Sequence, residues 1–117
     1  MQVLVRGVHV NVDEELRSFV GLHVERALHR IFQQQAVQVE VHLVDTTGAK
    51  GGVDKEARVT LHVPGIPAIH IEEVSDDMRK SIVGACDRLE RAAKKWLDKH
   101  HDHHGGQSLA DLPVDEV

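Results

Sequence analysis

Cysteine occurs once in these 117 residues, at Cys86, so no disulfide can form within the chain and a disulfide-stapled secreted scaffold is excluded. There is no tyrosine, and the three aromatics, Phe19, Phe32 and Trp96, all sit at apolar-stripe positions. That leaves nothing to stack against splayed bases, as single-strand binders require, so recognition of a nucleic acid would have to proceed by shape and phosphate. No apolar run is long enough to cross a membrane and no hydrophobic leader opens the chain, so a soluble cytoplasmic protein without a membrane partner is expected. Catalytic signatures are missing too. Gly-x-Ser-x-Gly, the dinucleotide fingerprint and His-Glu-x-x-His do not occur, and Cys86 lies on an apolar stripe, so neither enzymatic chemistry nor a cofactor is expected.

Positive charge is also short, at first sight. The formal net charge is −5, which argues against a phosphate-rich partner. Its distribution reverses that inference. Residues 1–100 hold all 14 Lys and Arg against 15 acids, and the other four acids lie in the last 17 residues. Residues 79–99 hold seven basic side chains and only three acids, Asp87, Glu90 and Asp98.

The length allows a single core. Gln2 to Arg6 reads as a short strand stopped by Gly7. Asp13 has the character of a helix N-cap, with Glu14 and Glu15 in the first turn and an apolar stripe of Leu16, Phe19, Val20, Val24, Ala27, Leu28 and Ile31 running to about Phe32. Three alternating segments follow: Val37 to Leu43, Ala57 to Val63, then Ile69 and Ile71. Strict alternation predicts one buried and one wet sheet face. Pro64 and Gly65 suggest a hairpin turn between the last two strands. Ser75 is expected to cap a second helix, with Asp76 and Asp77 in its first turn and a stripe of Met78, Ile82, Ala85, Cys86, Leu89, Ala93, Trp96 and Leu97 reaching about Lys99. The order β-α-β-β-β-α predicts an α+β two-layer sandwich, a four-stranded mixed sheet with two helices on one face. Strands one and two should be parallel if adjacent, and the other pairs antiparallel. Residues 1–100 form the expected domain, and 101–117 a His-rich then acidic tail without periodicity.

The opening Gln-Val-Leu-Val-Arg-Gly, the run Val12 to Val20, Leu61-His62-Val63-Pro64-Gly65, and Asp77-Met78 leading through Ile82, Asp87-Arg88-Leu89-Glu90-Arg91 and Lys94-Lys95 together resemble the ribosome hibernation-promoting factor and ribosome-associated inhibitor family, also called sigma-54 modulation proteins. The likeness covers roughly residues 2–99. It implies a fold related to double-stranded RNA-binding domains and a stress-response factor that binds small-subunit ribosomal RNA in the messenger and transfer RNA channel, blocking translation sterically. No DNA partner is implied, and the free protein should be a monomer. The chain departs from the family at Arg79, where Tyr is usual, and in a longer Gly48 to Lys55 segment. The long form's dimerisation domain does not follow in this sequence, so ribosome dimerisation by this chain is not implied.

The candidate RNA contacts are Lys80, Arg88, Arg91, Lys94, Lys95 and Lys99 on the second helix, Arg26 and Arg30 one turn apart on the first, and Lys50 and Lys55 about a glycine-rich segment. Spacings of 8, 3, 4 and 4 put Lys80, Arg88, Arg91, Lys95 and Lys99 away from the apolar stripe. The alternative is a solvated face with intrahelix pairs such as Asp87 to Arg91. Two other readings stay open: a metal-binding module using His42, His62 and His70 on the wet sheet face or the cluster His100, His101, His103 and His104, and a protein-interaction module on the same fold.

Overall fold

The computed structural model describes residues 1–29, 31–32, 36–46 and 54–101. The elements are β1 (Gln2–Val8), α1 (Glu14–Leu28), β2 (Gln38–Asp45), β3 (Lys55–His62), β4 (Ile69–Ser75) and α2 (Met78–His101). The strands lie in the spatial order β1-β2-β3-β4, with β1 parallel to β2 and the other two pairs antiparallel. The α+β sandwich is therefore the one expected, including the sense of each strand pair.

Register explains the layering. Val5, Val41, Val59 and Ile71 stand opposite one another across all four strands, and each is buried. Neighbouring rows add Val39 and Leu61, then Leu43 and Ala57. Because side chains alternate, this places every fully buried strand residue on one face. Val20, Val24, Ala27 and Leu28 from α1 and Ile82, Ala85, Leu89 and Ala93 from α2 join them in a single core. Leu4, Arg6, Glu40, His42, Arg58, Thr60, His70 and Glu72 occupy the opposite phase, and none of them is buried.

The helix ends follow from local chemistry, with two departures from expectation. Asp13 does cap α1, its Oδ1 accepting from the Leu16 N–H at 2.8 Å. The helix ends at Leu28 rather than near Phe32, and the N–H groups of Ile31 and Phe32 both turn back to the Leu28 carbonyl at 3.0 Å. Phe32 stays buried through that turn. At α2 the cap is Asp77 and not Ser75: Asp77 Oδ1 accepts from the Arg79 N–H at 3.0 Å, and its carbonyl takes the first helical bond from Ser81. Ser75 is instead the last residue of β4, and its hydroxyl joins a buried polar seam. Ser81, fully buried, donates to the Lys55 carbonyl at 2.6 Å and lies 2.6 Å from Ser75 Oγ, tying the start of α2 to β3 and β4.

Strand β1 continues through Gly7 rather than stopping there. A Cβ at Gly7 would lie 2.5 Å from the Val10 carbonyl oxygen and 2.8 Å from a Val12 methyl, so only glycine lets the next segment fold back this closely. Gly7→Ala is expected to lower unfolding free energy by about 1–3 kcal/mol, whereas Gly21→Ala on α1, where an added Cβ meets nothing within 4 Å, should raise it by about 0.5–1 kcal/mol. Urea midpoints of the two variants measure the contrast.

Candidate nucleic-acid interface

Helix α2 has 24 residues, so it spans about 36 Å and carries nearly all the cations of interest. Its N-terminal half is electrostatically satisfied. Lys80 Nζ lies 3.0 Å from Asp76 Oδ1 one turn earlier. Arg79 sits 4.7 Å over the Phe19 ring and 3.7 Å from Glu15 Oε2, strapping α2 to α1. Arg88 reaches down to β4, where its Nη1 donates to the Glu72 carbonyl at 2.6 Å and to Glu73 Oε1 at 2.9 Å. Glu73 occupies the apolar phase of β4 in register with Ala57, and Gly84 makes room for it, since a Cβ there would lie 3.0–3.1 Å from its side chain. Arg88 is thus a latch over the sheet edge as well as a surface cation.

The C-terminal half differs. Arg91, Lys94, Lys95 and Lys99 are exposed, and among the described residues none has a carboxylate within ion-pair distance. The Asp87 to Arg91 pair of the alternative reading does not form. Arg91, Lys95 and Lys99 recur every four residues along one flank, with Lys94 beside them, giving a basic stripe about 12 Å long whose charge faces water. Arg26, also exposed, lies two turns after Phe19 and so on the flank of α1 that meets α2. Arg30 and Lys50 fall outside the described residues.

Lys55 lies between two carboxylates. Its ammonium lies 2.8 Å from Asp54 Oδ1 and 3.3 Å from Asp45 Oδ2, and Asp54 is buried. Its hydrogen bond to Asp54, and less so that to Asp45, holds its pKa above the ordinary lysine value against some desolvation. Lys55 thereby links the end of β2, through Asp45, to the start of β3.

The three sheet histidines share the open face but not a row. His42 stands opposite Arg6 and Arg58, His62 opposite Gln38, and His70 opposite Thr60. Each of the last two has its own local partner: His70 Nδ1 lies 2.7 Å from Thr60 Oγ1 with Nε2 3.4 Å from Glu72, and His62 Nε2 lies 3.9 Å from Glu40. Among the described residues no three potential metal ligands converge. The side chains of His100, His101, His103 and His104 lie outside those residues. Cys86 is buried, and desolvation, aided by the nearby Asp87 charge, pushes its thiol up to about 12. It has the character of a core residue rather than a nucleophile.

Two contacts were not anticipated from sequence, the Arg79 strap and the Arg88 latch. The second left a trace: Ile69, Ile71 and Glu73 put an acid in the apolar phase of a strand, and such a group needs a cation near it.

A family model described as Sigma 54 modulation protein / S30EA ribosomal protein matches residues 3–101. The chain belongs to this family. Among relatives, a ribosome hibernation promoting factor of Azotobacter vinelandii is 29% identical over 114 residues, spanning 97% of this chain and 99% of its own. The N-terminal domain of Thermus thermophilus Protein Y superposes with a TM-score of 0.69 at 23% identity, covering 82% of this chain and 99% of that domain. A ribosomal subunit interface protein of Coxiella burnetii gives 0.64 at 23% identity, over 84% and 99%.

Two measurements probe this geometry. Cys86 should resist a disulfide reagent at neutral pH in the folded protein and react at once in denaturant; equal rates would contradict its burial. The Lys80 ammonium, by hydrogen bond and charge, holds Asp76 below the usual carboxylate range. A depressed folded pKa stabilises above the unfolded value and ceases to as pH falls. Asp76→Asn should therefore be less stable than the parent at neutral pH, with the gap closing below about pH 4. Urea unfolding at several pH values reads this out.

Proposed function

We propose that this chain is a ribosome-associated hibernation factor that binds small-subunit ribosomal RNA in the messenger and transfer RNA channel and blocks translation by occupancy, without covalent chemistry. The observation that carries the reading is the exposed basic stripe Arg91, Lys94, Lys95 and Lys99, unpaired among the described residues, with Arg26 on the neighbouring helix flank. Exposed cations lacking carboxylate partners are free to replace counterions along a phosphate backbone. Family membership and the name of the Azotobacter vinelandii relative support the ribosome as the partner. The site of action is then the cytoplasm, and the free protein is a 13.0 kDa monomer.

The candidate cations divide by their partners. Lys80, Lys55 and Arg88 are committed to Asp76, Asp54 and Glu73, so their removal acts first on the fold. Among the described residues the stripe cations touch no carboxylate, so their removal acts on binding. Rigid presentation by a helix helps, because the cations need not be ordered at the moment of contact.

Co-sedimentation with small subunits tests this. Binding should weaken about 50- to 150-fold between 50 and 200 mM salt if four phosphates are neutralised. The triple variant Arg91→Glu, Lys95→Glu, Lys99→Glu should leave the pellet while keeping the parent's thermal midpoint. Lys80→Ala should change pelleting by no more than about twofold. A triple variant that still pellets like the parent would refute the stripe as the RNA contact.

A further inference from the structure

The sheet face turned away from the helices carries a row of charge separate from the α2 stripe. Arg6 on β1, His42 on β2 and Arg58 on β3 stand directly opposite one another, and Glu72 of β4 completes the row. Arg6 and Arg58 are exposed and His42 is half-buried. Among the described residues neither Arg6 nor His42 has an ion-pair partner. We propose that this face is a second anion-binding surface, taking RNA phosphate between Arg6 and Arg58, and that protonation of His42, His62 and His70 brings it into play.

With the histidines neutral the face is weakly acidic. Arg6 and Arg58 are set against Glu40, Glu56 and Glu72, a net charge of −1, and Arg58 Nη2 lies 3.2 Å from Glu56 Oε1. Histidine is the side chain whose ordinary charge change falls between pH 5 and 8, so acidification acts here first. Protonating all three takes the face to +2. The position of the new charge matters as much as its amount. His70 Nε2 lies 3.4 Å from Glu72 Oε2 and His62 Nε2 lies 3.9 Å from Glu40 Oε1, so their protons offset those two carboxylates. Since Glu72 is also the residue opposite Arg58, its neutralisation leaves that guanidinium with Glu56 alone. His42 has no carboxylate opposite it, and its charge adds to those of the arginines on either side. Positive charge therefore collects in the middle of one row, about 10 Å wide from β1 to β3.

Three like charges side by side repel one another, and a phosphate seated among them relieves that repulsion while accepting from both guanidinium forks. Anion and proton are thus coupled: phosphate between the arginines favours the charged imidazole, and the charged imidazole favours phosphate to the same degree. Among the described residues both helices pack on the opposite face, so the groups already named are those that bear on the row. For the same reason RNA on this face leaves the α2 stripe accessible, and the two surfaces can be tested apart.

The test is fluorescence anisotropy with a labelled duplex RNA of unrelated sequence, using the full chain with Arg91→Glu, Lys95→Glu and Lys99→Glu so that the α2 stripe is reversed. Affinity at low salt should rise at least about tenfold from about pH 7.5 to about pH 5.5, and the slope of log K against log salt should steepen by about 2–3 if three more phosphates are neutralised. Binding near pH 6.5 should take up protons. Adding His42→Gln, His62→Gln and His70→Gln, or Arg6→Ala alone, should abolish most of the gain, whereas His29→Gln on the helix side should leave it. No gain on acidification overturns the proposal, and so does a gain that survives the sheet substitutions, which would belong to other histidines. The unsubstituted chain gives a second readout: at about pH 5.5 the duplex should shift the amides of residues 6, 42 and 58, and shifts confined to residues 91–99 overturn the proposal equally. If the unsubstituted chain binds no RNA at about pH 7.5, the stripe reading fails, while the gain at lower pH still decides the sheet face.

Discussion

The row Val5, Val41, Val59 and Ile71 crosses all four strands on one side of the sheet, and nearly everything else in the molecule follows from having to cover it. A sheet with a single apolar face needs a single layer of helices, and two amphipathic helices are what the chain supplies. Once α1 and α2 lie side by side on that face, their polar flanks must point away from the core. The basic residues of α2 thus become a surface feature of the helix layer, presented by a rod that the core holds rigid.

Within that layer, charge is divided along the length of α2. Near its start, cations serve the fold: Arg79 bridges to Phe19 and Glu15, and Arg88 closes over the β4 edge on Glu73 and the Glu72 carbonyl. Covering an edge in this way blunts its capacity to pair with another strand. Beyond Arg88, Arg91, Lys94, Lys95 and Lys99 are exposed and, among the described residues, have no carboxylate within ion-pair distance.

The two helices are also tied by a cation over an aromatic ring, since Arg79 lays its guanidinium on the Phe19 ring. On the other face, His62 and His70 are each tied to a nearby Glu, and mixed charge with short local pairs leaves no concentrated positive surface there.

By itself the sequence determined the element order, the one-sided sheet, the Asp13 cap and the basic character of α2, because alternation of two, periodicity near 3.6 and side-chain capping are local properties of the chain. Family resemblance was legible for the same reason, in runs such as Val12 to Val20 and Asp77 to Arg91. Which cations are free could not be read there. Lys55 and Lys99 look alike on the page, yet one is held between Asp45 and Asp54 and the other faces water. Arg88 shares a helix flank with Arg91 and Lys95, but only the packing of α2 over β4 brings Glu73 to it. The cap at Asp77 rather than Ser75 was likewise decided by Ser81 drawing Ser75 into the seam beneath α2. An ion pair depends on distances between groups far apart in the chain, and those distances exist only once the sheet and helices have packed.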